Sequence, residues 1–141
     1  MGCYLGYDSL SDHPFTASHD GHLYINNEEV VNIIVPNDIT YIRNHIFYYC
    51  KGIVSVDMHS GVTSIGNSAF RYCSALKTLI IRRETPPTLG SDVLTGTNAN
   101  LKIYVPYSSD QSILHAYQAA TNWSSYSAKM YELDENGNIP E

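Results

Sequence analysis

The chain has 141 residues, which is enough for one domain and short for two. Apolar residues make up 43% of it and charged residues only 16%, so we expect a folded core and a surface rich in uncharged polar groups. The net charge of -6 argues against binding to nucleic-acid phosphates. No apolar run approaches the ~20 residues that a membrane span requires.

The first segment, residues 1–22, contains glycines and a proline but no periodic apolar pattern. We interpret it as an N-terminal cap or as the remnant of an upstream segment. Residues 1–7 lack the basic and apolar regions of a signal peptide. His13, His19 and His22 lie near acidic residues, but their spacing matches no zinc-ligand pattern. We therefore predict neither a metal site nor a cofactor.

An internal repeat of 23 residues follows. Residues 39–50 (ITYIRNHIFYYC) and 62–73 (VTSIGNSAFRYC) agree at Thr, Ile, Asn, Phe, Tyr and Cys. Half a copy precedes this pair. A degraded copy with one inserted residue follows it, and in that copy Leu94 and Gly96 replace the aromatic residues.

The spacing of apolar residues within a copy predicts its local structure. Leu79 and Ile81 alternate as in a strand, whereas Ala69, Phe70 and Cys73 are spaced as in one helical turn. One copy cannot bury its apolar edge alone, so the copies must stack. We predict an α/β fold in which residues 23–105 form a short solenoid, with one short strand per copy stacked in a parallel sheet.

The C-terminal part of the chain predicts a helical cap over residues 106–133 and an acidic tail over residues 134–141. Ser108 and Gln111 have capping-box spacing. The apolar residues behind them recur at helical spacing, first at Ile113, Leu114, Tyr117 and Ala120 and again at Tyr126, Met130 and Leu133. The acidic tail is expected to fray.

The repeat unit VTSIGNSAFRYCSALKTLII, residues 62–81, resembles the BspA-type leucine-rich repeat of bacterial surface proteins. Residues 23–30 resemble the lead-in to such repeats, and residues 85–90, 103–106 and 120–124 resemble the C-terminal ending of the family. The resemblance implies a non-catalytic protein-binding module on the cell surface or in a secreted protein. Its implied role is adhesion to a protein on a host, a cell or a matrix. The alternative is a structural spacer or assembly element of a larger secreted or virion-associated protein.

Cys50 and Cys73 occupy equivalent positions, which leaves a disulfide, a metal site or buried thiols open. Both positions point inward in the repeat, where cysteine behaves as a small apolar residue. We expect two buried free thiols, because three cysteines in all do not form a disulfide framework.

Asp57, His59 and Ser60 have the composition of a hydrolytic triad. A triad also needs a base oriented by a third group and an oxyanion hole, and an open strand offers no pocket that excludes water. We therefore predict that the protein is not an enzyme. A weak hydrolase at these residues stays open as a minor alternative.

The outward strand positions are the candidate binding site. Stacking would align one row of Asn32, Ser55, Thr78 and Lys102 and a second row of Ile34, Asp57, Ile80 and Tyr104, with His59 and Arg82 at the strand ends. Exposed apolar residues in a contiguous row can mark a contact surface, although an ordinary sheet surface is equally compatible with them. A tyrosine cluster on the turn side is an alternative contact zone, formed by Tyr41, Tyr48, Tyr49 and Tyr72. The pattern does not specify an oligomeric state.

Overall fold

A computed structural model describes residues 15–17, 21–25 and 27–141 of the protein. The strands in chain order are β1 (Phe15–Ala17), β2 (Leu23–Ile25), β3 (Glu28–Glu29), β4 (Asn32–Ile34), β5 (Tyr41–Ile42), β6 (Ser55–Met58), β7 (Ser64–Ile65), β8 (Thr78–Ile81), β9 (Thr88–Leu89), β10 (Lys102–Val105) and β11 (Met130–Glu132). Helix α1 spans Ser112–Ala119, and a 3₁₀ helix spans Trp123–Lys129.

Two parallel sheets alternate along the chain. The main sheet has the order β11-β10-β8-β6-β4, and the second sheet has the order β5-β7-β9. In the main sheet Asn32 pairs with Ser55 and Ser55 with Thr78, each 23 residues further on, while Thr78 pairs with Lys102. We name residues 32–54, 55–77 and 78–101 the first, second and third repeats. Parallel sheets with few helices fit the predicted α/β repeat fold.

The inward sides of the two sheets form one core. Alternate residues of β4, β6 and β8 are buried, as the pleat of a half-buried strand requires. The register stacks the same kind of side chain from repeat to repeat, namely Ile33, Val56, Leu79 and Ile103 in the main sheet and Ile42, Ile65 and Leu89 in the second. The stacking buries apolar edges that no single repeat could cover.

The turn side of each repeat lies between the second sheet and the next main-sheet strand. Backbone hydrogen bonds join the first and second repeats there: the amides of His45, Phe47 and Tyr49 donate to the carbonyls of the second repeat at 2.9 Å each. Two residues per repeat adopt positive φ, at His45 and Tyr49, Ser68 and Tyr72, and Asp92 and Gly96. The third repeat therefore keeps the backbone of the other two although it lacks their aromatic residues.

The C-terminal segment packs on the third repeat through side-chain donors. Tyr117 Oη donates to the Arg83 carbonyl at 2.6 Å, Trp123 Nε1 to that of Pro87 at 2.7 Å and Asn122 Nδ2 to that of Leu89 at 2.7 Å. The predicted helix exists but begins at Ser112. Gln111 has a positive φ and its side chain caps nothing, so the predicted capping box is wrong.

One further prediction for this segment is wrong. Residues 130–132 form β11 rather than a helix, because pairing with β10 supplies the hydrogen bonds that a helical turn would otherwise make. Residues 134–138 of the predicted tail form a hydrogen-bonded turn, in which Asp134 Oδ1 accepts from the amides of Asn136 at 2.9 Å and Asn138 at 2.8 Å. Arg82 Nη1 also donates to the Gly137 carbonyl at 2.9 Å.

An antiparallel sheet of β1, β2 and β3 precedes the repeats. Leu23 is fully buried, and the Gly52 amide of the first repeat donates to the Gly21 carbonyl at 3.3 Å. The hairpin from residue 21 onward thus packs against the first repeat. Most of the predicted cap, residues 1–14 and 18–20, lies outside the described residues.

Candidate binding surface

The outer side of the main sheet carries the predicted rows in register. The first row runs Asn32, Ser55, Thr78 and Lys102, and the second runs Ile34, Asp57, Ile80 and Tyr104. Ser55 Oγ donates to Asn32 Oδ1 at 2.6 Å, so the start of the first row is internally bonded. The register follows from the backbone hydrogen bonds between neighbouring parallel strands, which place equivalent side chains side by side.

The apolar members of the second row differ in exposure. Ile34, on the outermost described strand, is 79% exposed, and Ile80 is half-buried. Tyr104 was predicted to be exposed, and this is wrong, because it is only 8% exposed. The reason is β11, which extends the sheet beyond β10 and brings the Tyr131 ring to 6.0 Å from that of Tyr104.

Tyr131 is a surface residue that the sequence reasoning missed. It is 45% exposed and continues the second row, while Lys102 Nζ lies 5.3 Å from its ring centre. Residues 130–132 read apolar, tyrosine, polar, and residues 103–105 read apolar, tyrosine, apolar. The alternation at Met130 and Tyr131 could have identified a further strand, but the helical spacing of Tyr126 and Met130 concealed it.

An ion pair occupies the middle of the surface. Arg82 donates to both carboxylate oxygens of Asp57, at 2.8 and 2.9 Å, and its remaining nitrogen holds the Gly137 carbonyl. The hydrogen bond to Asp57 raises the pKa of Arg82 above its ordinary value. Asp57 and Arg82 therefore lie on the predicted surface, but they bind each other and anchor the C-terminal turn.

His59 bonds to the backbone through both of its ring nitrogens. Its Nδ1 accepts from the Gly61 amide at 3.0 Å, and its Nε2 donates to the carbonyls of Pro36 at 2.9 Å and Ile39 at 2.8 Å. Asp57, the partner a triad would need, is bonded to Arg82 instead. The arrangement ties the first repeat to the second and does not assemble a nucleophile, a base and an orienting acid.

The two stacked cysteines differ in chemistry. Both are buried as predicted, and Cys73 is a free thiol whose Sγ donates to the Phe47 carbonyl at 3.0 Å. Burial raises the pKa of Cys73 to about 12. The prediction of a free thiol is wrong for Cys50, which is disulfide-bonded. The sequence reasoning failed because it considered Cys50 chiefly beside Cys73.

The histidines that were considered and rejected as metal ligands fall largely outside the described residues, since His13 and His19 lie within residues 1–14 and 18–20. His22 is described and bonds to Glu29 through its Nδ1. Within residues 15–17, 21–25 and 27–141, no three His, Cys, Asp or Glu side chains come together as metal ligands. The same part of the chain contains no helix with the length and apolar character of a membrane span.

The turn side gathers three of its four predicted tyrosines. The rings of Tyr49 and Tyr72 lie 4.7 Å apart, and Tyr48 lies 4.8 Å from Tyr49 and 5.9 Å from Tyr72. Tyr41 lies apart in the second sheet, on β5, and is 42% exposed.

Comparison with known families identifies the class of the protein. A model described as the BspA type leucine rich repeat region (6 copies) matches residues 21–122, which is most of the chain. The chain therefore belongs to the BspA-type leucine-rich-repeat family, whose members are protein-binding repeat modules found in surface or secreted proteins. A comparison with curated proteins gives no match.

Proposed function

We propose that the protein is a non-catalytic recognition module that mediates adhesion through the outer side of its main sheet. The partner is a protein on a host cell, another cell or an extracellular matrix. The observation that carries the proposal is the second row, in which Ile34, Ile80 and Tyr131 present apolar and aromatic groups on one sheet face.

The chemistry of this face suits protein contact. Tyrosine supplies a large, stiff contact area at low entropic cost, and aromatic residues are enriched where binding energy concentrates. The polar row beside it forms a rim, and the charges of the Asp57–Arg82 pair within the surface already satisfy each other. Family membership supports the same reading, since the repeats of the family bind proteins.

We also propose that the protein functions on the cell surface or after secretion. The disulfide at Cys50 supports this location, because disulfides persist in oxidising compartments. Mass-spectrometric mapping of the purified protein, denatured without reductant, is expected to find Cys73 alkylated and Cys50 protected. Alkylation of Cys50 under these conditions would remove this support.

The adhesion proposal is tested with matched tyrosines. Tyr131 and Tyr41 are 45% and 42% exposed, on the main and second sheets respectively. In solid-phase binding to purified extracellular-matrix and host-surface proteins, Tyr131→Asp combined with Ile34→Asp should weaken binding by about 30-fold, which corresponds to about 2 kcal/mol. Tyr41→Asp should leave it unchanged. Equal effects of both variants, or no binding by the unaltered protein, would contradict the proposal.

A second candidate function is assembly within a larger protein, and Ile34 favours it. An apolar residue that is 79% exposed on an outer strand is a typical site for contact with another sheet or chain. Assembly predicts that Ile34→Asp lowers the apparent mass in sedimentation experiments while binding to other proteins stays unchanged. Adhesion predicts the opposite result.

A further inference from the structure

The turn side carries a second candidate surface, distinct from the sheet face, which we call the turn-side patch. It consists of His45, Tyr48, Tyr49, Lys51, Arg71 and Tyr72. Lys51 Nζ lies 5.7 Å from the ring centre of Tyr49, and Arg71 Cζ lies 4.9 Å from that of Tyr72. Arg71 Nη2 also donates to Tyr72 Oη at 3.2 Å, so two cations and two rings from neighbouring repeats form one preorganised group.

The backbone does not explain why tyrosine stands at these positions. Tyr49 and Tyr72 have φ values of 62° and 61°, a left-handed conformation that costs L residues roughly 1–2 kcal/mol each. The third repeat carries Gly96 at the equivalent position, and glycine adopts this conformation without that cost. The same position thus accepts glycine in one repeat and carries a strained tyrosine in the other two, which indicates that the tyrosine side chain itself has a role. Backbone strain of this kind is often found at binding sites.

The charge of the chain is unevenly distributed along the sequence. Residues 39–83 contain six of the eight Lys and Arg residues and one of the 14 Asp and Glu residues, which is a net charge of +5 in a chain of -6. Two of the six lie in the patch itself. The carboxylate of Asp92 from the third repeat approaches Arg71 only to 4.0 Å, which is too long for a hydrogen bond.

We infer that the turn-side patch binds an acidic polypeptide segment. Two cations beside clustered tyrosines attract carboxylates, while the half-buried phenol rings supply contact area that bare charges lack. Tyrosine and arginine are also among the residues enriched where the binding energy of protein interfaces concentrates. The net charge of -6 on the whole chain repels polyanions that do not fit the patch.

Fluorescence anisotropy with labelled poly-L-glutamate and the full chain tests this inference. Binding should weaken as salt is raised, because partly exposed charges are screened. Lys51→Glu combined with Arg71→Glu should weaken binding at least about tenfold. The control, Lys77→Glu combined with Lys129→Glu, makes the same change in net charge outside the patch and should stay within about twofold, since charges that do not touch the bound segment are screened.

A further variant separates binding from stability. Asparagine tolerates positive φ better than most residues, so Tyr49→Asn should keep the melting temperature while it weakens binding. A lower melting temperature with unchanged binding would show that the tyrosine only stabilises the turn, and it would overturn the inference. Equal loss in both charge variants, or binding of heparin or phosphatidylserine vesicles but not of poly-L-glutamate, would overturn it as well.

Discussion

The main sheet and the turn side repeat with the same period but tolerate different substitutions. Ser55, Thr78 and Lys102 take equivalent places on the outer side of the sheet, where the backbone ladder sets the register and the side chain is free to vary. On the turn side, Gly66 and Gly90 take equivalent places because the preceding repeat lies directly beneath them. The outer positions of the sheet therefore accept several residue types, whereas positions such as Gly66 in the turn accept only a residue without a side chain.

Gly66→Ala is expected to lower the stability of the protein more than any other substitution proposed below. A Cβ at Gly66 would lie 2.5 Å from the Asn44 amide nitrogen and 2.7 Å from the Arg43 carbonyl carbon, both of them backbone atoms. The stacked repeats would have to separate, which should lower the free energy of unfolding by about 3 kcal/mol. Urea denaturation measures the loss. Thr78→Ala on the sheet is the control and should change stability by less than about 0.5 kcal/mol.

Tyr117→Phe tests atomic specificity at the C-terminal segment. The variant loses the hydrogen bond to the Arg83 carbonyl, which should cost about 1–2 kcal/mol at neutral pH. Burial raises the pKa of Tyr117, so the folded protein holds the phenol proton more tightly than the unfolded chain does. Its contribution is therefore complete below the unfolded pKa of about 10 and is lost as the pH rises above that value.

Denaturation curves recorded across the alkaline range check this prediction. The unaltered protein should lose stability above about pH 10 more steeply than Tyr117→Phe does, since the variant has no buried phenol to ionise. Parallel alkaline curves for the two proteins would show that Tyr117 does not contribute to the pH dependence.

Asn67→Ala tests how much one side-chain hydrogen bond between successive repeats contributes to stability on the turn side. The Asn67 amide nitrogen donates to Asn44 Oδ1 at 2.8 Å, and Asn67 Oδ1 accepts from the Ser91 amide at 2.9 Å. The variant removes only the second bond, and we expect a loss of about 1 kcal/mol. Asn44→Ala removes the first and should cost the same. A loss of stability in only one of the two variants would mean that the equivalent asparagine hydrogen bonds of the two repeats do not contribute equally.

The sequence predicted the sheet better than the turns, for a physical reason. Alternation and the 23-residue period specify which side chains point inward, so the rows through Ser55 and Asp57 could be read directly. Positive φ at Tyr49 or Ser68 has no signal in a single sequence, because glycine, the usual marker, stands at only one of the six positive-φ positions of the three repeats, Gly96. The repeat also predicted that the chain belongs to the BspA-type leucine-rich-repeat family, which the family match confirms.

The outer surface was less predictable than the register. Tyr104 occupies its predicted row but is covered, because the pairing of β11 with β10 depends on where the chain returns after the helices. The bond between Arg82 and Gly137 has the same origin, since it joins residues 55 positions apart. Contacts between distant segments of this kind have no local pattern.

Asp57→Asn carries the smallest expected effect and tests the sheet side of the comparison. The pair with Arg82 has good two-point geometry, but both side chains are partly exposed, so its loss should cost at most about 1 kcal/mol. A double-mutant cycle with Arg82→Gln measures the coupling. Because Arg82 also holds the Gly137 carbonyl, Arg82→Gln should increase amide exchange in residues 134–138, whereas Asp57→Asn should change it less. A coupling well above 1 kcal/mol would mean that the sheet surface, like the turns, depends on particular atoms.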